Sequence, residues 1–207
     1  MKKLFSLVCV ALFTITASAQ ITWNVKGGVG VATCIGDDAV DLSSHIVGKI
    51  GVGIEKPLTS NWSLMPSLEV AWKGSEFKSK EDYESLNETL DMYYLQMPVV
   101  AAYRFNVSDH WNITLKTGPY LAYALYGQLK YDYEGSGQYS YSESGKENPF
   151  SSDFGCSRFD VGWDFGIDFE CRRFVFGAEY EIGFMSFGPD KASIKNSAAY
   201  FTLGYKF

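Results

Sequence analysis

Residues 160–170 read DVGWDFGIDFE, and this segment constrains the fold more than any other. Val161, Trp163, Phe165, Ile167 and Phe169 alternate with Asp160, Gly162, Asp164, Gly166, Asp168 and Glu170. A period of two sends the large apolar set to one face of a β-strand and the acidic and glycine set to the other. Such a strand suits two architectures. In a soluble sheet the apolar face covers a core and the charged face meets water. In a membrane barrel the apolar face meets lipid and the charged face lines the interior.

The pattern recurs along the chain and predicts eight strands, at about 22–33, 46–56, 62–73, 92–105, 111–127, 160–170, 173–187 and 197–207. Each is long enough to cross a bilayer when tilted. The connections sort by length. Leu58–Asn61, Asn106–His110 and Cys171–Arg172 are short, whereas Cys34–His45, Gly74–Asp91, Gln128–Ser157 and Gly188–Asn196 are long. Short turns at one end and long loops at the other form the arrangement of outer-membrane barrels, with the short end periplasmic.

The aromatic residues follow the same geometry. Trp23, Trp62, Phe105, Trp111, Phe174 and Phe207 all fall at the periplasmic rim of the apolar face. Trp72, Tyr93 and Tyr123 fall near the opposite rim. Two girdles bounding an apolar band match a membrane interface. The competing architecture, a soluble eight-stranded calyx, would turn its apolar residues inward and needs no girdles. The expected fold is therefore all-β: an eight-stranded antiparallel up-and-down transmembrane β-barrel.

The first residues agree with export. Lys2 and Lys3 precede the apolar run LFSLVCVALFTITA, and Ala17-Ser18-Ala19 forms a small-x-small cleavage site. Residues 1–19 read as a cleaved signal peptide and 20–207 as one outer-membrane barrel domain. Loss of Lys2 and Lys3 takes the formal charge from −6 to −8. An acidic chain lacks the basic footprint that nucleic acid requires.

With the apolar face outward, the lumen receives Lys26, Lys49, Lys73, Arg104, Lys116 and Lys206, together with Glu55, Glu69, Asp160, Asp164, Asp168, Glu170, Glu179 and Glu181. Tyr94, Gln96, Tyr120 and Tyr126 join them. Eight strands enclose only enough room for their own side chains. These charges are therefore expected to form a paired structural network that fills the bore, with Asp164 bonded to the lumen lysines and Arg104. A narrow pore for small solutes or ions is the alternative reading.

Enzymatic chemistry has a thin basis. His45, near the outer surface, is the one candidate for a lipid-modifying acyl transfer or hydrolysis, with Asp41, Ser43, Ser44 and Ser75 as partners the fold could bring near it. No spacing motif links them, so no catalytic residue is assigned. Neither a cofactor nor a metal is expected, because the mature cysteines Cys34, Cys156 and Cys171 are scattered. Cys34 and Cys156 both lie where outer loops join the barrel and form the candidate disulfide. In loop 130–156, Tyr131, Tyr133, Tyr139 and Tyr141 keep a two-residue rhythm around Glu134-Gly135-Ser136-Gly137, which predicts a hairpin beyond the membrane. Such a hairpin offers a surface to an extracellular protein or glycan.

The segments YLQMPVVAAYRF (94–105), RFDVGWDFGIDFE (158–170) and AYFTLGYKF (199–207) resemble the PorT-type outer-membrane β-barrels of Gram-negative bacteria, which are similar to the small OmpX-like barrels. The resemblance runs over essentially the whole mature chain. It implies an eight-stranded barrel in outer-membrane lipid and transfers no catalytic residue. It also implies that Tyr205 and Phe207 serve as a C-terminal signal for the barrel-assembly machinery, with periplasmic chaperones as further partners in biogenesis. The expected role is a structural or surface-binding one.

Overall fold

The computed structural model describes residues 21–39, 41–81, 84–108, 110–135, 141–151, 154–189 and 192–207. The proposed signal peptide, 1–19, lies outside them. The described chain forms β1 (Thr22–Ile35), β2 (Leu42–Ser43), β3 (His45–Pro57), β4 (Trp62–Glu81), β5 (Glu84–Ser108), β6 (Trp111–Gly135), β7 (Tyr141–Glu147), β8 (Phe159–Cys171), β9 (Phe174–Gly183) and β10 (Lys195–Lys206). Every neighbouring pair is antiparallel.

The sheet closes on itself. Its order runs β4-β3-β1-β10-β9-β8-β6-β5, and β5 returns to β4. Eight strands thus form the ring, while β2 pairs only with β4 and β7 only with β6. β1 and β10 seal the ends of the chain, with Asn24 opposite Lys206 and Ile35 opposite Lys195. Closure matters because an open edge would leave N–H and C=O groups unpaired in lipid.

Alternation decides what faces where. On the outer wall Phe201 is 75% exposed, Ile46 74% and Trp23 61%, while on the same strands Tyr200, Val47 and Lys49 are buried. The molecule is inside out relative to a soluble barrel. Among the described residues no helix is long and apolar enough to cross a membrane; strands carry the crossing. All six residues of the proposed lower girdle are exposed on this wall. They interlock in edge-to-face contacts, Trp62–Tyr103, Tyr103–Phe105 and Tyr205–Phe207, at centroid separations of 5.0, 4.8 and 5.2 Å.

Several boundaries differ from the sequence reading. Gly74–Asp91 is not a loop: β4 and β5 continue side by side from Gly74 opposite Asp91 up to Glu81 opposite Glu84. β6 likewise runs on to Gly135 and pairs with β7, from Leu129 opposite Glu147 to Gly135 opposite Tyr141. The two legs of the expected hairpin therefore pair, while residues 136–140, with Ser136, Gly137 and Tyr139 among them, lie outside the described residues. β9 stops at Gly183 rather than 187, and Phe187 turns into the bore, 2% exposed. Tyr126 faces outward, not inward. A bulge between Tyr93 and Tyr94 shifts the β5–β6 register, so Leu125 and Tyr126 both point away from the lumen.

The wall also contains a feature that alternation does not reveal. Pro66, Pro98 and Pro119 sit on three successive staves, where proline has no N–H for the ladder. Pairing lapses between β4 and β5 from Pro66–Val99 to Glu69–Gln96, and between β5 and β6 from Pro98–Tyr120 to Ala101–Thr117, with the register unchanged on either side.

Candidate functional site

The bore is filled in layers. At its periplasmic end Arg104 Nη2 lies 2.5 Å from Glu55 Oε1 and 3.3 Å from Glu170 Oε2. Lys206 Nζ bridges the same two glutamates at 2.7 Å each. Ser63 donates to Glu55 and Thr114 to Glu170, at 3.0 and 2.9 Å, so the carboxylates are saturated. Six strands are tied together by this one cluster.

The middle layer is centred on Glu179. Its carboxylate receives Lys26 at 2.9 Å and Lys116 at 2.6 Å, and it also contacts Lys49. Lys26 reaches Glu69 at 2.8 Å, and Lys116 reaches Asp168 at 2.7 Å. Glu181 takes Lys49 at 3.0 Å, Lys73 at 2.7 Å and the Gln96 amide at 2.9 Å. Room for this comes from an inward glycine: a Cβ on Gly166 would fall 2.5 Å from Lys116 Cε. One oxygen each of Glu69, Glu179 and Glu181 lie within 4.8 Å of one another, a spacing a cation would suit. Lys26, Lys49 and Lys73 supply the positive charge there.

Above this sits a tyrosine layer. Tyr94, Tyr120 and Tyr200 are each at most 2% exposed. Lys73 lies 4.1 Å over the Tyr120 ring and Lys49 lies 4.7 Å over that of Tyr200. Tyr120 and the Asn196 amide donate to Asp160 at 3.2 and 3.0 Å. The sequence reading placed Tyr94 and Tyr120 inward but overlooked Tyr200 and Asn196, whose alternating neighbours are weakly patterned.

The pairing is not uniform. Six cations face eight acids, and within 4.0 Å they engage Glu55, Glu69, Asp168, Glu170, Glu179 and Glu181. Among the described residues Asp160 and Asp164 have no cation that close. Asp160 is held by Tyr120 and Asn196, but Asp164 Oδ1 has no hydrogen-bond partner. Asp164 was expected to pair with the lumen lysines; the stagger of the strands delivers those lysines to Glu179 and Glu181 instead.

His45 opens a second cluster at the outer rim. Its Nε2 lies 3.3 Å from Asp91 Oδ1 in a bent approach, and its ring meets Trp72 edge-on at 5.8 Å. Asp91 also receives Lys130 at 2.7 Å and the Trp72 indole N–H at 3.2 Å. Trp72 stacks on Tyr93, which contacts Tyr126. No serine hydroxyl is bonded to either ring nitrogen among the described residues. Cys34, Cys156 and Cys171 are all free thiols, so the expected Cys34–Cys156 disulfide is not formed here.

The His45 ring, followed by Lys130 and the Trp72 N–H, holds the Asp91 carboxyl down to about 2. A depressed carboxyl supports the fold fully above its ordinary value of 3.8 and loses that support as pH falls toward about 2. Acidification through this window is expected to release Trp72, seen as a fluorescence difference between the wild type and Trp72→Phe. Asp91→Asn is expected to show the released signal already at neutral pH. An Asp91→Asn titration identical to wild type would refute the latch.

A family model described as "Outer membrane protein beta-barrel domain" matches residues 16–187. The chain belongs to this family. It is accordingly an outer-membrane protein. Comparison with curated proteins finds no match. Among solved structures the chain is similar to the attachment invasion locus protein Ail of Yersinia pestis, at 14% identity over 90% of this chain and 98% of that one, with a TM-score of 0.41. It is also similar to Neisserial surface protein A, at 8% identity over 89% and 97% with a TM-score of 0.47. OprG of Pseudomonas aeruginosa follows at 10% identity over 91% and 97%, with a TM-score of 0.40.

Proposed function

We propose that this outer-membrane barrel is a structural and surface-binding protein, neither a pore nor an enzyme. The observation that carries the reading is the bore itself. Three buried tyrosines and two layers of ion pairs fill its middle and periplasmic part, which argues against a hydrated path for ions. The extended strands β4 to β7 supply the complementary part. They raise a sheet beyond the outer aromatic rim, a scaffold suited to an extracellular protein or glycan. Tyr131 lies across Gly145 on the neighbouring strand, where it stiffens this sheet.

The His45 cluster fits the same view, since its acidic neighbour is already engaged by a lysine and an indole. Within the family, the segments 94–105, 158–170 and 199–207 favour a PorT-type kinship. Tyr205 and Phe207 close the ring against β1, consistent with a C-terminal strand read by the barrel-assembly machinery, with periplasmic chaperones escorting the unfolded chain. The decisive experiment is a planar-bilayer recording of the refolded mature chain. The expected record has no stable single-channel steps; reproducible steps would replace this reading with the narrow pore.

A further inference from the structure

Above the tyrosine layer the bore turns apolar. Met92, Ala122, Ala124 and Phe187 pack with Tyr94 and Tyr120 in one buried cluster. Beside it lies a pocket of about 180 Å³, partly open to the outside. Leu42, Phe77, Leu90 and Leu129 wall it from the strands, and Phe154 and Phe187 close on it from the outer loops. A water molecule needs two to four polar partners to reside in such a space. The described wall offers few: Ser75, Glu88 and the thiols of Cys34 and Cys156. Burial pushes the Cys34 thiol up to about 11 and raises that of Cys156, so both stay neutral.

We propose that this cavity is a binding site for a small uncharged apolar molecule of about single-ring size. Apolar walls favour a ligand over water, since an engineered cavity of about 150 Å³ lined by Leu, Ile and Phe stays dry and takes up benzene. An anion is repelled by Glu88, and an ion of either sign would lose most of its hydration against walls that are otherwise apolar. The volume excludes a whole acyl chain. A compact ring from outside and the end of a lipid tail share this chemistry, and the test separates them.

The mature protein is placed in phospholipid nanodiscs with ¹³C-labelled Leu and Ile methyls and titrated with toluene. Resonances of Leu90, Leu129 and Ile194 are expected to shift and saturate, while lipid-facing Leu68, Leu115 and Leu203 drift in proportion to toluene dissolved in the bilayer. Cys156→Phe fills the cavity and is expected to weaken the saturable response about tenfold or more. Leu129→Phe is the second filling variant, used if the first does not refold. Shifts that fail to saturate, or that match those of Leu203, overturn the proposal, as does an unchanged response in the filled variant. Decane saturating the same methyls more tightly than toluene overturns it in favour of a lipid-tail pocket.

Discussion

Glu179→Leu is expected to cost this barrel about 3–5 kcal/mol, the penalty for removing one partner from a buried ion pair. Glu179 receives Lys26 and Lys116 at 2.9 and 2.6 Å and touches Lys49. Without it three lumen ammoniums, two of them buried, share only Glu69, Asp168 and Glu181. Against a total stability of roughly 5–15 kcal/mol this is a large fraction. The urea midpoint of the lipid-refolded protein should fall, and the folded, fast-migrating band on unheated gels should weaken. Phe165→Leu is the control, because the ring is 49% exposed on the lipid face and its replacement stays apolar; a change within about 0.5 kcal/mol is expected. Asp164→Asn should be neutral or stabilising, since this buried carboxylate has no cation within 4.0 Å to lose. Equal losses for Glu179→Leu and Phe165→Leu would refute the inside-out assignment.

Gly74→Val should detach the protruding sheet while leaving the barrel closed. Gly74 has φ +150, which a β-branched residue scarcely adopts, and a Cβ there would fall on the Leu90 carbonyl oxygen. The position lies where β4 leaves the outer rim and begins its extension beside β5. Backbone strain of about 1–3 kcal/mol acts on that extension alone, because the membrane-level pairs from Lys73–Met92 downward remain available. Trypsin cleavage after Lys78 should accelerate about tenfold or more, as opening of the strand pair becomes more frequent. The gel-mobility shift of the barrel should persist. An unchanged cleavage rate would show that the extension does not depend on this glycine.

The extension is also where sequence reading fell short. Residues 74–91 are mostly charged and polar, and the few apolar ones such as Phe77 and Leu90 are too sparse to mark a strand by alternation. They become strands because each is held by the hydrogen-bond ladder of its neighbour, a tertiary cause. Tyr126 was misplaced for a related reason: one bulged residue reverses every facing beyond it, and a bulge leaves no composition signature. The charged segments at the membrane level behaved differently. DVGWDFGIDFE alternates so strictly that either slip of register would bury its aspartates in lipid.

The local pattern alone therefore determined the all-β class, the number of staves in the ring, the side that meets lipid and the end that carries the girdle. Each follows from a period of two, which is legible within a single strand. Only the tertiary structure decided which acid holds which cation. Partners such as Lys26 and Glu179 stand 153 residues apart, and Lys206 and Glu170 36 apart. Their meeting depends on how far each stave is staggered around the closed ring, and no segment of sequence records that stagger. The same is true of the apolar cavity, whose walls come from seven separate stretches of the chain and exist only once the barrel has closed.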